Sequence, residues 1–168
     1  MPSITTLTKQ TILAYASAIS IASNPSSPST LSEAATAMST FYLPNVTAFT
    51  LGSITIIPNQ TVFIQGTEWT LQKYNSSGIG TDFRLDHYKI DPVSESSAIA
   101  WITYRMVVPG LEAEGTTRKG KGVGSNNGWK FTNVYGFRVL LDGRQGWEWT
   151  NADGEYTELL KRYPEFLS

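Results

Sequence analysis

The sequence contains no cysteine and a single histidine, His87, among its 168 residues. The absence of cysteine excludes disulfides, thiolate metal ligands and cysteine nucleophiles. One histidine is too few for a site that holds a metal ion through several imidazoles, so we expect no metal ion and no cofactor. An excess of positive charge is also lacking, because 13 Lys and Arg stand against 14 Asp and Glu. Duplex nucleic-acid binders usually carry such an excess, so we expect no nucleic-acid partner.

Long apolar runs are absent as well, since no stretch reaches the roughly 20 residues that a membrane-spanning helix needs. Residues 12–22 look faintly like the apolar part of a secretion signal, but their apolar side chains recur at helical spacing. We therefore expect no membrane partner and a cytoplasmic location. The apolar share of 40% is too high for a disordered chain. The length fits one domain, which we predict to span residues 1–168.

The first half of the chain carries three helix signals. Apolar residues recur every three to four positions over 6–23, which predicts an amphipathic helix. Residues 30–33 (Thr-Leu-Ser-Glu) form a capping box that predicts the start of a second helix. A third helix is predicted over 67–76, with Thr67 as its N-cap, after a short strand at 61–65.

Strand patterns dominate elsewhere. Two short β-rich segments precede the third helix and four longer ones follow it, at 46–51, 53–57, 82–91, 97–108, 129–141 and 145–151. The short connections between the long strands predict antiparallel neighbours. Helices and antiparallel strands that are segregated along the chain indicate the α+β class. Residues 109–128 are too rich in glycine for a helix, and we predict a mobile hairpin loop there that covers the mouth of a pocket.

Four segments resemble the nuclear transport factor 2-like superfamily, and its SnoaL-like branch in particular: YLPNVTAF at 42–49, QGTE at 65–68, VYGFR at 134–138 and the run from Trp147 to Asp153. The GWEW and NVYGFR runs look like those of fungal members. The resemblance implies a cystatin-like cone, in which a strongly curved antiparallel sheet wraps around three N-terminal helices and encloses one hydrophobic pocket. Some members are cofactor-independent enzymes that isomerise, dehydrate or cyclise lipophilic compounds, and others only bind ligands or dimerise.

Alignment with ketosteroid isomerase, an enzyme of that superfamily, assigns pocket positions. Tyr15 and Tyr135 fall where that enzyme has its two oxyanion donors, and Thr50 falls where it has its general base. Because threonine cannot act as that base, the proton must be carried by another group. The same register turns three sets of side chains inward on successive strands: Trp101, Thr103 and Arg105; Asn133, Tyr135 and Phe137; Glu148 and Thr150.

Glu148 stands between two tryptophans on a strand. If it points inward, burial raises its pKa and suits it to general acid or base catalysis. The alternatives are an exposed carboxylate and an inward one that is neutralised by Arg105. Arg105 either holds a substrate carbonyl, orients Glu148 or reaches solvent at the end of its strand. Tyr15 and Tyr135 either donate hydrogen bonds to developing negative charge or bond to nearby protein groups.

His87 follows Asp86, and such a pair suits a general base that deprotonates a hydroxyl or a carbon acid. The orientation of its strand is open at this stage. Inward packing of Phe83 and Leu85 carries His87 inward, whereas inward packing of Tyr88 and Ile90 turns it outward.

These observations predict a cofactor-independent isomerase, cyclase or dehydratase that acts on a lipophilic intermediate of secondary metabolism. Its predicted catalytic residues are Glu148, Tyr135, Tyr15, His87 and Arg105. Its predicted substrate-binding residues are Trp101, Thr103, Asn133, Phe137, Thr150, Phe41 and Thr50. The alternative is a non-catalytic module of the same fold that binds small molecules or dimerises. We also expect a homodimer formed through the outer face of the sheet, with Trp147 and Trp149 pointing outward as its apolar patch.

Overall fold

The structure is a computed structural model that describes residues 1–24, 28–108 and 128–168. The hairpin loop predicted at 109–128 lies, apart from Gly128, outside the described residues. None of the helices in the described part of the chain is long and apolar enough to cross a bilayer. The elements follow one another as α1 (Ile4–Ser20), a 3-10 turn (Ile21–Ser23), α2 (Pro28–Ser39), β1 (Tyr42–Thr50), β2 (Ser53–Ile57), α3 (Gln60–Ser76), β3 (Asp82–Pro92), β4 (Ser97–Val107), β5 (Trp129–Val139), β6 (Gln145–Asn151), α4 (Asp153–Arg162) and a 3-10 helix (Pro164–Leu167).

The six strands form one curved, unclosed sheet in the order β2-β1-β6-β5-β4-β3. Helix α1 packs against β3 and β4, α2 packs against α1 and α3, and α4 packs against β5. The α+β class and the cone architecture predicted from the sequence are confirmed. The sheet is mixed, however, because β1 runs parallel to β6 while the other neighbours are antiparallel. Two parallel strands must be joined by a long crossover. The short connections from which antiparallel pairing was predicted do not indicate which distant strands pair.

The first helix forms as its apolar spacing predicts. Ser3 caps it by accepting a hydrogen bond from the backbone N–H of Thr6, and Ile12, Tyr15 and Ile19 are buried. The second helix starts earlier than predicted, at Pro28. Proline fits the first turn of a helix, where no backbone N–H is needed. The capping-box prediction at 30–33 was therefore wrong, and Thr30 lies inside the helix and is buried.

The third helix also starts earlier than predicted. The side chain of Asn59 caps it, accepting a hydrogen bond from the N–H of Val62 at 3.0 Å. The strand predicted at 61–65 is therefore part of α3, and Thr67 lies in the helix interior rather than at its N-cap. Helix and strand propensities are weak local preferences, and here the cap and the burial of Phe63 on one helix face override them.

The Asn59 cap is open to a direct test. Replacing Asn59 with alanine removes the acceptor for an N-terminal N–H, so the free energy of unfolding should fall by about 1 kcal/mol. Thr67→Ala is the matched control and should change stability by less than about 0.5 kcal/mol, because Thr67 caps nothing. Urea denaturation followed by circular dichroism measures both values. A larger loss for Thr67→Ala than for Asn59→Ala would contradict the observed start of the helix.

The inner face of the sheet carries the core. On β5 the inward residues are Asn133, Tyr135 and Phe137, as predicted. On β4 the inward residues are Ala100, Ile102, Tyr104 and Met106, so the inward orientation predicted for Trp101, Thr103 and Arg105 was wrong. Residues directly opposite each other on antiparallel strands share a face. Tyr135 pairs with Ala100 and Val134 pairs with Trp101, which turns the whole predicted β4 set to the outer face.

Two bulges decide the remaining orientations. On β3 the register shifts between Leu85 and His87, so that Asp86 is an extra residue. Phe83 packs inward before the bulge and Tyr88 packs inward after it, and His87 therefore points outward. The two inward packing patterns considered from the sequence are thus both present, one before the bulge and one after it. A regular strand would allow only one of them, because its side chains alternate between the two faces.

The second bulge lies between β5 and β6, where Gly136 pairs with Trp149 and Phe137 pairs with Trp147. Glu148 is the extra residue and lies on the outer face, where its carboxylate binds Arg138. Trp147 points inward and is fully buried, so the outward orientation predicted for it was wrong. Trp149 remains on the outer face, against the edge of the Phe49 ring.

Candidate active site

A cavity of about 540 Å³ lies between the inner face of the sheet and helices α1, α3 and α4. Its wall is mainly apolar and aromatic. Of the predicted site residues, five line it: Tyr15, Thr50, Asn133, Tyr135 and Thr150. Among the described lining residues, Glu155 is the single charged side chain. The sequence analysis did not name Glu155 as a site residue.

Glu155 lies in the first turn of α4 and is held at both oxygens. The Tyr74 hydroxyl donates to Oε1 at 2.7 Å, and the Asn133 side-chain amide donates to Oε2 at 2.8 Å. The Asn133 side-chain oxygen also accepts from the backbone N–H of Glu155 at 3.4 Å. This clamp joins α3, β5 and α4, so the carboxylate has a fixed place in the cavity wall.

Gly154 brings the carboxylate to this position. A Cβ atom at residue 154 would lie 2.1 Å from the carbonyl oxygen of Thr132, so only glycine lets α4 lie directly on β5. The residue before Gly154 is fixed too, because the side chain of Asp153 accepts a hydrogen bond from the backbone N–H of Leu51. The start of α4 is thus attached to both the β1–β2 hairpin and the centre of the sheet.

The environment of Glu155 favours the protonated acid. Burial raises the pKa of its carboxyl above the ordinary value, and the hydrogen bonds from Tyr74 and Asn133 only partly oppose this shift. A carboxyl with a raised pKa exchanges protons near neutral pH more readily than an exposed one does. Glu155 is therefore suited to accept a proton and return it.

The raised pKa makes stability depend on pH in a defined direction. Between the unfolded value, about 4.3, and the higher folded value, the native state binds more protons than the unfolded chain. The contribution of Glu155 to stability is thus fully present below the unfolded pKa and is lost as pH rises through the folded pKa. The stability of the wild type relative to Glu155→Gln should fall across this window in urea titrations. A difference that is flat or rises with pH would contradict the buried position of the carboxyl.

Phenol groups supply several further polar atoms of the cavity. The hydroxyls of Tyr15 and Tyr42 are 2.8 Å apart and hydrogen-bonded. Burial raises the pKa of Tyr135 to about 12, and it also raises the pKa values of Tyr15, Tyr42 and Tyr104. These phenols therefore stay protonated at neutral pH and can donate hydrogen bonds.

The buried hydroxyl of Tyr104 faces that of Tyr135 but forms no well-aligned hydrogen bond among the described residues. An unpaired buried polar group costs free energy, so a polar ligand atom that bonds to it would remove that cost. Tyr104 was not predicted as a site residue, because the strand that carries it was placed in the opposite orientation.

Several predicted site residues lie outside this cavity. Glu148, Arg105, His87, Trp101 and Thr103 are on the outer face, where Arg105 faces Asp86 at 3.6 Å rather than Glu148. Phe41 packs edge-on against the Tyr15 ring and Phe137 is fully buried in the core, and neither lines the cavity. The general acid or base predicted at Glu148 thus has no access to the inner cavity.

A larger concavity of about 890 Å³ lies on the outer face of the sheet and includes Glu148. The carboxylate there already forms an ion pair with Arg138 at 2.5 Å and is partly exposed to solvent. Glu155, by contrast, is buried and has no cation among its hydrogen-bond partners. The chemistry therefore favours the smaller inner cavity as the candidate active site.

The sequence did contain a signal for Glu155. Glu155 and Leu159 are four residues apart within α4, so they share one face of it. Leu159 is fully buried. A carboxylate on the apolar face of an amphipathic helix is unusual and marks a buried acid.

Comparison with known proteins shows the fold. The chain matches no family model and no curated protein sequence. An NTF-2-like protein of unknown function from Shewanella oneidensis MR-1 is 8% identical over 86% of this chain and 97% of that one, with a TM-score of 0.52. A ketosteroid isomerase-like protein from Erwinia carotovora atroseptica SCRI1043 is 10% identical over 85% of this chain and 89% of that one, with a TM-score of 0.52. A domain of unknown function with a cystatin-like fold from Nostoc punctiforme PCC 73102 is 13% identical over 95% of this chain and 86% of that one, with a TM-score of 0.54. The chain therefore shares the cystatin-like cone fold of these structures, which is the fold that its sequence resemblance implied.

Proposed function

We propose that this protein is a cofactor-independent isomerase or lyase that transfers protons on a lipophilic carbonyl compound of secondary metabolism. The observation that carries the proposal is the position of Glu155, a buried carboxyl with a raised pKa in a cavity lined by protonated phenols. The cavity volume falls within the roughly 300–1,000 Å³ that small-molecule sites occupy. The apolar wall suits a hydrophobic ring system, and the few polar atoms suit one carbonyl group.

The proposed chemistry begins with Glu155 taking a proton from the carbon next to the substrate carbonyl. Negative charge then develops on the carbonyl oxygen, where Tyr104 and Tyr135 donate hydrogen bonds to it. Glu155 next returns the proton to another carbon, which gives an isomer, or protonates a departing hydroxyl, which gives a dehydrated product. Tyr74 and Asn133 hold the carboxylate in place, and Tyr15 packs against the Tyr135 ring.

Proton exchange on a simple ketone tests this proposal without knowledge of the natural substrate. 1-Tetralone is a neutral bicyclic ketone whose protons next to the carbonyl exchange slowly with solvent. In D₂O the protein should accelerate loss of these proton signals in the NMR spectrum beyond the rate in buffer alone. Ketone that binds, as judged by line broadening, without any accelerated exchange would favour the non-catalytic binding module instead.

We also propose that the protein forms a homodimer through the outer face of β2, β1 and β6. Ile54 and Ile56 are 69% and 68% exposed on β2, next to Phe49 and Thr47 on β1. β2 is an edge strand, and exposed apolar edge strands tend to pair. The rim carries both signs of charge, in the Arg138–Glu148 and Arg144–Asp142 pairs, so two copies related by a twofold axis can match opposite charges.

A charged residue in this patch should separate the two copies. Ile56→Glu places a carboxylate in the apolar contact, so light scattering should give the mass of a monomer where the wild type gives that of a dimer. Val93→Glu is the matched control, because Val93 is 64% exposed on the turn between β3 and β4, away from the patch. A wild-type protein that is monomeric at micromolar concentration would contradict the proposed interface.

A further inference from the structure

A group of hydrogen-bonded polar side chains that includes His87 lies on the outer face of the sheet. Nδ1 of His87 is 2.8 Å from Oδ2 of Asp86, and Nε2 of His87 is 3.3 Å from the hydroxyl of Thr103. The Thr103 hydroxyl is in turn 2.7 Å from that of Thr132. A carboxylate, an imidazole and a hydroxyl thus form one chain of hydrogen bonds.

The sheet register produces this chain. His87, Thr103 and Thr132 are directly opposite one another on β3, β4 and β5, so they form one row across three strands. The bulge at Asp86 brings its carboxylate to the same side as the adjacent imidazole. The arrangement is therefore fixed by backbone pairing at the β3 edge of the sheet.

The hydrogen bonds determine which nitrogen of the imidazole carries the proton. Hydrogen bonds from His87 and Lys130 hold the pKa of the Asp86 carboxyl at about 2, so Asp86 is ionised and can only accept. Nδ1 of His87 must therefore donate to Asp86. In the neutral ring this leaves the lone pair of Nε2 facing the Thr103 hydroxyl, which is the orientation that a general base needs.

The hydroxyl is next to open space. A concavity of about 340 Å³ is lined by His87, Thr103 and Thr132 together with Lys89 and Trp101. Trp101 is 42% exposed, and its indole N–H donates to Asp91 at 2.8 Å, which fixes its orientation. The concavity therefore has room for a small acyl group and has an apolar wall, and Lys89 at its rim forms an ion pair with Asp91 at 3.0 Å.

We propose that this outer-face concavity is a second reactive site, in which Thr103 accepts an acyl group from an ester with a good leaving group. The oxygen of Thr103 bonds to the acyl carbon while His87 Nε2 takes the hydroxyl proton. The bond between the acyl carbon and the alkoxide of the ester then breaks, and the alkoxide takes that proton from His87. The result is an acyl ester on Thr103 and a free alcohol, and water can later hydrolyse the acyl ester. The inner cavity and Glu155 take no part in this reaction.

p-Nitrophenyl acetate tests the site. The full chain should release an initial burst of one p-nitrophenol per chain, and peptide mass spectrometry after acid quenching should find one acetyl group on Thr103. Thr103→Val keeps the shape of a buried side chain and should abolish both signals. His87→Gln should slow acetylation by roughly 10²- to 10⁴-fold, the range that general-base catalysis supplies. Thr103→Ser should retain the burst, since it restores a hydroxyl.

The outcomes separate this site from ordinary surface chemistry. If Thr103→Val releases p-nitrophenol at the wild-type rate, or if acetyl is found only on His87 or on lysines, an exposed imidazole or amine reacts by itself and the proposal is wrong. Circular dichroism of each variant checks folding, and a folded Thr103→Ser that lacks the burst also overturns the proposal. Proton exchange on 1-tetralone is measured in a separate experiment. A negative result for acyl transfer to Thr103 therefore does not contradict the role proposed for Glu155, and the reverse also holds.

Discussion

Glu155→Gln should lower the rate of proton exchange on 1-tetralone by roughly 10²- to 10⁴-fold, because the amide cannot take a proton from carbon. Glutamine has the shape of glutamate and can still accept the hydrogen bond from Tyr74, and only the hydrogen bond from the Asn133 amide is lost. The fold and the binding of the ketone should therefore remain close to those of the wild type. NMR measures the exchange rate and, through line broadening, the binding of the ketone in the same samples.

Glu148→Gln is the matched control for this experiment. Its carboxylate lies on the outer face and pairs with Arg138, so its loss should change the exchange rate by less than about twofold. A large loss in Glu148→Gln together with wild-type exchange in Glu155→Gln would reverse the assignment made here. Wild-type exchange in both variants would show that neither carboxylate transfers the proton.

Trp147→Ala should reduce the free energy of unfolding by about 3–5 kcal/mol, which is the usual cost of removing a large aromatic side chain from a core. Trp147 is fully buried, and its ring contacts those of Tyr15, Tyr135 and Phe137. This loss is a large share of the total free energy of unfolding, which for a single domain is typically only about 5–15 kcal/mol. Urea denaturation followed by circular dichroism measures the change.

Trp101→Ala serves as the matched control for the stability measurement. Trp101 is 42% exposed on the opposite face of the sheet, so its removal should cost far less, within about 1 kcal/mol. If the free energy of unfolding falls by similar amounts in the two variants, the cost comes from removing any tryptophan and not from the inward packing of Trp147 on β6. A small loss for Trp147→Ala would contradict its placement in the core.

The general architecture was accessible from the sequence because it depends on patterns that persist over many residues. The helical spacing of Ile12, Tyr15 and Ile19 predicted α1, and the run of long strands predicted most of the sheet. Helix starts were less accessible. The cap of α3 is one side chain, Asn59, and Thr67 is also of a residue type that commonly caps helices, so the sequence did not distinguish the two positions.

The orientation of strand residues was predictable only where no bulge intervened and the register was known. The inward set on β5 was correct, but the set on β4 was shifted by one residue, and this reversed Trp101, Thr103 and Arg105. A bulge on β6 reversed the orientation predicted for Glu148, and a bulge on β3 determined that of His87, which the sequence had left open. A bulge depends on pairing with a distant strand, so the residues on either side of it do not reveal it.

The candidate site was therefore predicted in part. Tyr15, Tyr135, Asn133, Thr50 and Thr150 line the cavity, because the resemblance to a known fold fixed their elements. The predicted acid was Glu148 on β6, whereas the carboxyl that lines the cavity is that of Glu155 on α4. Its position depends on contacts with Tyr74 and Asn133, which are far from it in the sequence.

The parallel pairing of β1 with β6 has a consequence for how the protein is made. A ribosome delivers α3 and three further strands between β2 and β6, so β1 and its hairpin partner β2 stay without their neighbour while those elements emerge. Contacts between distant segments form slowly, and unpaired strand edges promote aggregation meanwhile. We expect nascent chains that stall before residue 145 to depend on chaperones, and the wall that carries Glu155 to be completed last.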